Sequence, residues 1–139
     1  MIKLYSPEHL HLLITFGLLI LIWIVQILHY PSFYFYDENK FSKAMLFHQR
    51  AISYVTLPLM VSELILVTLI FSNSPNFFHL LSIIIVGIIW LSTFLIQVPL
   101  HKKLLLSKDN RLIKKLINTN WIRTGAWSIK FILLSWNYL

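Results

Sequence analysis

The chain has 139 residues, of which 58% are hydrophobic and 12% charged, about half the roughly 25% charged share of a soluble domain. One core cannot bury that much apolar surface, so lipid must solvate part of it, which excludes an ordinary soluble domain. The absence of cysteine excludes disulfides and thiolate metal sites, and the net charge of +7 points to anionic headgroups rather than nucleic acid, since no basic face stands clear of an apolar run.

The length suits a single domain over residues 1–139. The first predicted span, residues 10–29, is Leu, Ile, Val, Phe and Trp apart from His11, Thr15, Gly17, Gln26 and the closing His29. It exceeds a signal-peptide core, and no small-residue cleavage site follows, so it is expected to be retained. Pro31 is expected to end it, because proline disfavours helical geometry in the residue before it.

The second span is predicted over 43–72. It opens on an amphipathic turn with His48 and Arg50 and holds Glu63 and a kinking Pro58. Ser72-Asn73-Ser74-Pro75-Asn76 reads as a tight turn, which makes spans two and three antiparallel neighbours. The third span is predicted over 77–106, with Pro99 toward its end. The fourth, 111–137, starts amphipathically and is interrupted by Arg123 and Lys130, so it is the least apolar of the set. The predicted fold class is all-α, a four-transmembrane-helix antiparallel bundle.

Charge sets the expected orientation. Lys40, Lys43 and Arg50 flank the first loop, and Lys102, Lys103, Lys108, Arg111, Lys114 and Lys115 the third. The second loop has no Lys or Arg, and the N-terminus only Lys3. The positive-inside rule then makes loops 31–50 and 101–115 cytoplasmic, with both termini outside, in a multi-pass protein of the cell inner membrane.

Ionisable residues inside a membrane are costly and face a bundle interior or a wet cavity. Every span contributes some at the cytoplasmic end. Gln26 and His29 close span one, and His48 and Arg50 enter span two. Thr93, Gln97 and His101 share one face of span three at four-residue steps, and Asn120, Arg123, Thr124 and Trp127 form a stripe on span four. Gln97, Asn120, Arg123, Thr124, Arg50 and Glu63 are therefore candidate ligand-binding residues. Arg123 is the candidate anion anchor.

His29, His48 and His101 are candidate metal ligands, which would hold a metal or haem. The competing reading makes them interfacial residues bonded to carbonyls, phosphates or water. His9, His11 and His79 at the opposite end weaken any argument from counting. Glu63 is either an ion-pair partner of Lys130 or Arg123, or a protonatable carboxylate in a polar cavity; Lys130 has the further option of snorkelling outward. Trp23, Trp90, Trp121 and Trp127 either wall a flat ligand or pack between helices, while Trp136 and Tyr138 suit the outer interfacial belt. Tyr34-Phe35-Tyr36 lies on headgroups or closes over the cavity mouth.

The chain has no GxxxG, phosphate-cradling glycine loop or nucleophile elbow. Trp23, Gln26, His29 and Pro31 in span one are echoed by Trp90, Gln97, Pro99 and His101 in span three, the pattern of two related helical hairpins.

The segments His29-Tyr30-Pro31, His48-Gln49-Arg50, Pro58 to Glu63, Gln97-Val98-Pro99-Leu100-His101 and Asn120-Trp121-Ile122-Arg123-Thr124 resemble a group of small four-helix bacterial integral membrane proteins without assigned activity. More distantly, the pattern is similar to the anthrone-oxygenase-like domain family of unknown function. The resemblance runs from about Trp23 to Trp127. It implies four helices and a polar site at one membrane face, and carries no established chemistry.

Three function classes stay open at this level. One is a membrane protein with a site for a metal, a cofactor or a small hydrophobic or anionic ligand, including an oxidoreductase. A second is a non-enzymatic accessory subunit bound to a membrane-protein partner or to copies of itself. The third is a small transporter using Glu63 and Lys130 near mid-membrane.

Overall fold

The computed structural model describes residues 6–139; Lys3, used above for orientation, lies outside them. Among the described residues no strand occurs, and the chain forms four long helices. These are α1 (Pro7–Phe35), α2 (Glu38–Asn73), α3 (Phe77–Leu106) and α4 (Asn110–Tyr138). The first three are each long and apolar enough to cross a membrane, with mean hydropathies of 2.4, 2.1 and 2.4. Helix α4 is not in that class, because its first turns carry Arg111, Lys114, Lys115 and Asn118 before Arg123 and Lys130.

Polar caps punctuate the chain. The Ser6 side chain accepts from His9 N–H, and Pro7 occupies the first turn, where its missing N–H costs nothing. Asn76 accepts from His79 N–H at 2.9 Å, and Asp109 accepts from Arg111 N–H at 2.7 Å. Helix α2 begins at Glu38 after an extended Asp37, earlier than the predicted 43.

Pro31 does not end α1. The helix runs through it, and the expectation is corrected by a π turn over Val25–His29 just upstream. Helix α3 repeats the arrangement, with a π turn over Thr93–Gln97 before Pro99. Proline lacks an N–H, and its ring crowds the carbonyl four residues back. The widened turn moves that carbonyl away and shifts the bonding to the fifth residue back, so Tyr30 N–H donates to Val25 O and Val98 N–H to Thr93 O. Aligned on these turns, His29 corresponds to Gln97, so the echo between the two helices is one of backbone geometry more than of side chains.

Helix α1 packs on α2 and α4, and α3 packs on α4 and α2. The contacts reverse chain direction at each step. Thr15 meets Glu63 while His29 meets His48; Trp23 meets Ser128 while Gln26 meets Asn120; His79 meets Tyr138 while Gln97 meets Thr119. Two apolar clusters fill the interior. One, at the basic end, includes Tyr30, Phe33, Phe41, Met45, Leu104 and Leu116. The other, deeper, includes Leu18, Ile22, Met60, Ile85, Ile89 and Trp127. A Cβ added at Gly17, Gly87 or Gly125 would meet no atom within 4 Å beyond the neighbouring backbone of its own helix, so helix contact does not depend on small-residue crossings. At the basic end, Lys108 Nζ donates to Tyr34 O and Tyr36 O, both at 2.8 Å, which ties the first turn to the third. Phe35 between them is exposed.

Candidate functional site

The fold opens a cleft of about 290 Å³ to which all four helices contribute. Its deep wall is apolar, with Leu18, Leu21, Ile22, Val25, Met60 and Trp127; toward the basic end it is lined by Tyr30, Gln49, Gln97, His101, Lys102 and Arg123. A concave apolar site with a few placed polar groups is the usual form of a small-molecule pocket. No carboxylate lines it.

Arg123 is the electrostatic centre of this cleft. It is 8% exposed, its Nε has no hydrogen-bond partner, and its guanidinium lies 5.5 Å from the centroid of the Trp127 ring, with Tyr30 beside it. The chain's acidic residues are Glu8, Asp37, Glu38, Glu63 and Asp109. Among the described residues the one ion pair is Glu63 with Lys130, so Arg123 has no carboxylate partner. The indole face offers a cation roughly 0.5–2 kcal/mol, well short of the several kcal/mol that desolvation costs.

Glu63 lies outside the cleft, behind Trp127, and is 0% exposed. Of the two partners weighed from sequence, Lys130 holds it, with Nζ 2.5 Å from Oε1. Thr15 Oγ1 donates to Oε1 at 2.9 Å, and Trp127 Nε1 donates to Oε2 at 3.2 Å. Three donors satisfy the carboxylate, and Lys130, also 0% exposed, does not snorkel.

The predicted polar stripe of α4 divides between two tasks. Arg123 and Trp127 line the cleft. Asn120 Nδ2 and Thr124 Oγ1 both donate to Gln26 Oε1, at 2.8 and 3.1 Å, and Gln26 Nε2 donates to Ile117 O at 3.1 Å. That network fastens α1 to α4. Gln97 lines the cleft while its Nε2 donates to Thr119 Oγ1 at 3.0 Å. Arg50 is exposed, and its neighbour Gln49 takes the place in the cleft wall.

The three candidate metal histidines meet, but pairwise. His29 Nε2 contacts His48 Nδ1, and the His48 and His101 rings stack with centroids 5.7 Å apart. His101 Nδ1 donates to Gln97 O at 2.8 Å, so its hydrogen sits on Nδ1 and its Nε2 remains an acceptor when neutral. No group of three His, Asp or Glu suited to holding a metal occurs among the described residues. His48 Nδ1 faces His29, and the three rings stand between the cleft and a recess lined by His29, His48, Lys40 and Lys43. At the other end, His9 and His79 act locally, with Nδ1 2.7 Å from Ser6 Oγ and 2.6 Å from Ser74 O.

Of the tryptophans inside the spans, Trp127 alone lines the cleft. Trp23 donates to Ser128 Oγ at 3.1 Å and meets Trp121 edge-on, and Trp90 tilts against Phe94. Tyr30, Gln49 and Lys102 line the cleft without having been among the site residues expected from sequence. Gln49 and Tyr30 carried a signal, since Gln49 lies between His48 and Arg50 and Tyr30 directly follows His29.

Compared with known proteins, the chain matches no family model, no curated protein and no solved structure.

Proposed function

We propose that this chain is a four-span antiparallel bundle of the cell inner membrane, with loops 31–50 and 101–115 on the cytoplasmic side, and that its cleft binds a small amphiphilic anion. The anionic group pairs with Arg123 and, nearer the mouth, Lys102. The apolar body lies along Leu18, Ile22, Met60 and Trp127. The observation that carries this reading is the buried guanidinium without a counter-charge. A lone cation within a membrane helix costs roughly 2.5–3.5 kcal/mol on insertion scales, and a ligand anion offsets that cost. Arginine also matches carboxylate and phosphate oxygens in a planar fork.

The fourth crossing is supported by the outward surface of α4. Trp121, Ile122, Ile129 and Ile132 are exposed there, while Arg123 and Lys130 are buried. Turned inward, those cations leave an apolar face for lipid.

Thermal unfolding of detergent-purified protein with alkyl carboxylates, alkyl phosphates and a neutral alkyl glycoside of equal chain length tests this reading. One of the anions is expected to raise the Tm where the neutral compound does not, and R123Q to lose the response. Equal responses in R123Q and the unaltered protein would remove the proposal.

A further inference from the structure

The cleft opens between α2 and α3. On α1 and α4 its lining residues are buried, Leu21 alone being half-buried. On α2 and α3, Ser53 and Lys102 are exposed, and Ile52, Thr56, Thr93 and Val98 are half-buried. Helix α2 packs against Phe77–Ser92 and again against Val98–Leu106 of α3, but scarcely against the π turn Thr93–Gln97 between them. The two helices therefore part beside the cleft. Val55 and Leu57 of α2 and Phe94 and Leu95 of α3 are exposed nearby, so the surface around the gap is apolar. From Gln49 to Met60 the cleft follows α2 for about 16 Å at the helical rise, close to one leaflet of a hydrocarbon core roughly 30 Å thick.

The polar end of the cleft offers acceptors as well as donors. The Thr119 hydroxyl donates to Lys115 O at 2.7 Å, so toward Gln97 it can only accept, which fixes the Gln97 amide with Nε2 on Thr119. Gln97 Oε1 is left buried without a hydrogen-bond partner among the described residues, as are the donors Arg123 Nε and Gln49 Nε2. His101 adds Nε2 as an acceptor, its Nδ1 being spent on Gln97 O. An ionised carboxylate or phosphate only accepts, so it satisfies the donors and leaves Gln97 and His101 unmatched. A hydroxyl beside the charge supplies the missing donor. We infer that the anion taken by the cleft is a single-chain lipid with a hydroxyl beside its charged group, and that it enters sideways from the bilayer between α2 and α3. This rests on reading the cleft as an anion site. A lipid of the leaflet at the basic end already has its head level with Lys102 and its chain at the depth of Met60, so sideways entry carries no charge through hydrocarbon.

Titration calorimetry in detergent with two matched pairs tests the headgroup: myristate against β-hydroxymyristate, and myristyl phosphate against monomyristoylglycerol phosphate. In the pair that the protein binds, the hydroxylated member is expected to show a Kd about tenfold lower, the net worth of one added hydrogen bond. Equal Kd values within that pair would overturn the inference and leave the anion site standing. Binding of none of the four would remove the anion site itself, and the inference with it. A second measurement reads the route on the unaltered protein in vesicles. The better-bound hydroxylated compound, carrying a mid-chain diazirine, is photolysed with and without an excess of its unlabelled form. Adducts that the excess suppresses are expected at Ser53, Thr56 and Thr93, along the gap between α2 and α3. Suppressible adducts confined to Leu18, Ile22 and Met60 would mean an enclosed chain and would sink the sideways route.

Discussion

Arg123 and Lys130 stand on the same face of α4, two turns apart, and the fold treats them differently. Lys130 is sealed at 0% exposure against Glu63, which Thr15 and Trp127 also hold. Arg123 is 8% exposed, lacks any carboxylate, and borders a cleft of about 290 Å³. Trp127 separates them, presenting its face to the guanidinium and its N–H to Glu63. A buried cation with its counter-charge is a strut, because both charges are satisfied within the chain. A buried cation without one is, on the proposed reading, the anchor for a ligand anion that supplies the charge the chain does not.

The largest expected effect comes from making Lys130 resemble Arg123. E63Q leaves a fully buried ammonium uncompensated, and unfolding in detergent is expected to show a loss of about 3–5 kcal/mol. The double change E63L/K130L should recover most of that loss, since an apolar pair of similar volume is often neutral. Recovery in a double-mutant cycle would identify the strut, and additive losses would reject it.

The converse change gives Arg123 a partner. Q97E places a carboxylate in the same cleft and is expected to raise the ligand-free stability while weakening binding of an alkyl carboxylate or phosphate at least about tenfold, or roughly 1.4 kcal/mol. Unchanged anion binding in Q97E, read by titration calorimetry, would show that the guanidinium is not the anchor.

Smaller effects mark the scaffold that holds the contrast in place. Q26L removes the hub between α1 and α4 and leaves Asn120 and Thr124 without their shared acceptor, so a loss of about 1–3 kcal/mol is expected in the same unfolding assay. K108M frees the Tyr34 and Tyr36 carbonyls at the basic end. These groups are half-exposed and meet water, so the expected loss is about 0.5–1 kcal/mol, with faster amide exchange confined to the two turns.

Much of the helical frame was visible in the amino-acid sequence. Long apolar runs need internal backbone bonding in lipid, and Ser-Asn-Ser-Pro-Asn at 72–76 interrupts them where α2 gives way to α3. The behaviour of Pro31 and Pro99 was less legible. Proline announces a lost hydrogen bond, but whether the helix stops or widens depends on what packs beyond it. Tyr30 and Phe33 are buried in the core past the first π turn, and Leu100 and Leu104 past the second, so continuing the helix buries more than stopping would.

The site divides in the same way. Residue chemistry alone identified Arg123, Gln97 and His101 as the inward polar groups of a basic-end pocket, because ionisable and amide side chains avoid lipid. For Glu63 it left two readings, an ion-pair partner of Lys130 or Arg123 and a protonatable carboxylate in a polar cavity. Periodicity assigns residues to a face of one helix but says nothing of how that helix is rotated or slid against its neighbours. One residue turns a helix by about 100°, enough to bring Gln49 into the cleft wall and leave Arg50 outside. Two turns along α4 separate the cation that meets Glu63 from the one that does not, and only the register of α2 against α4 decided between them.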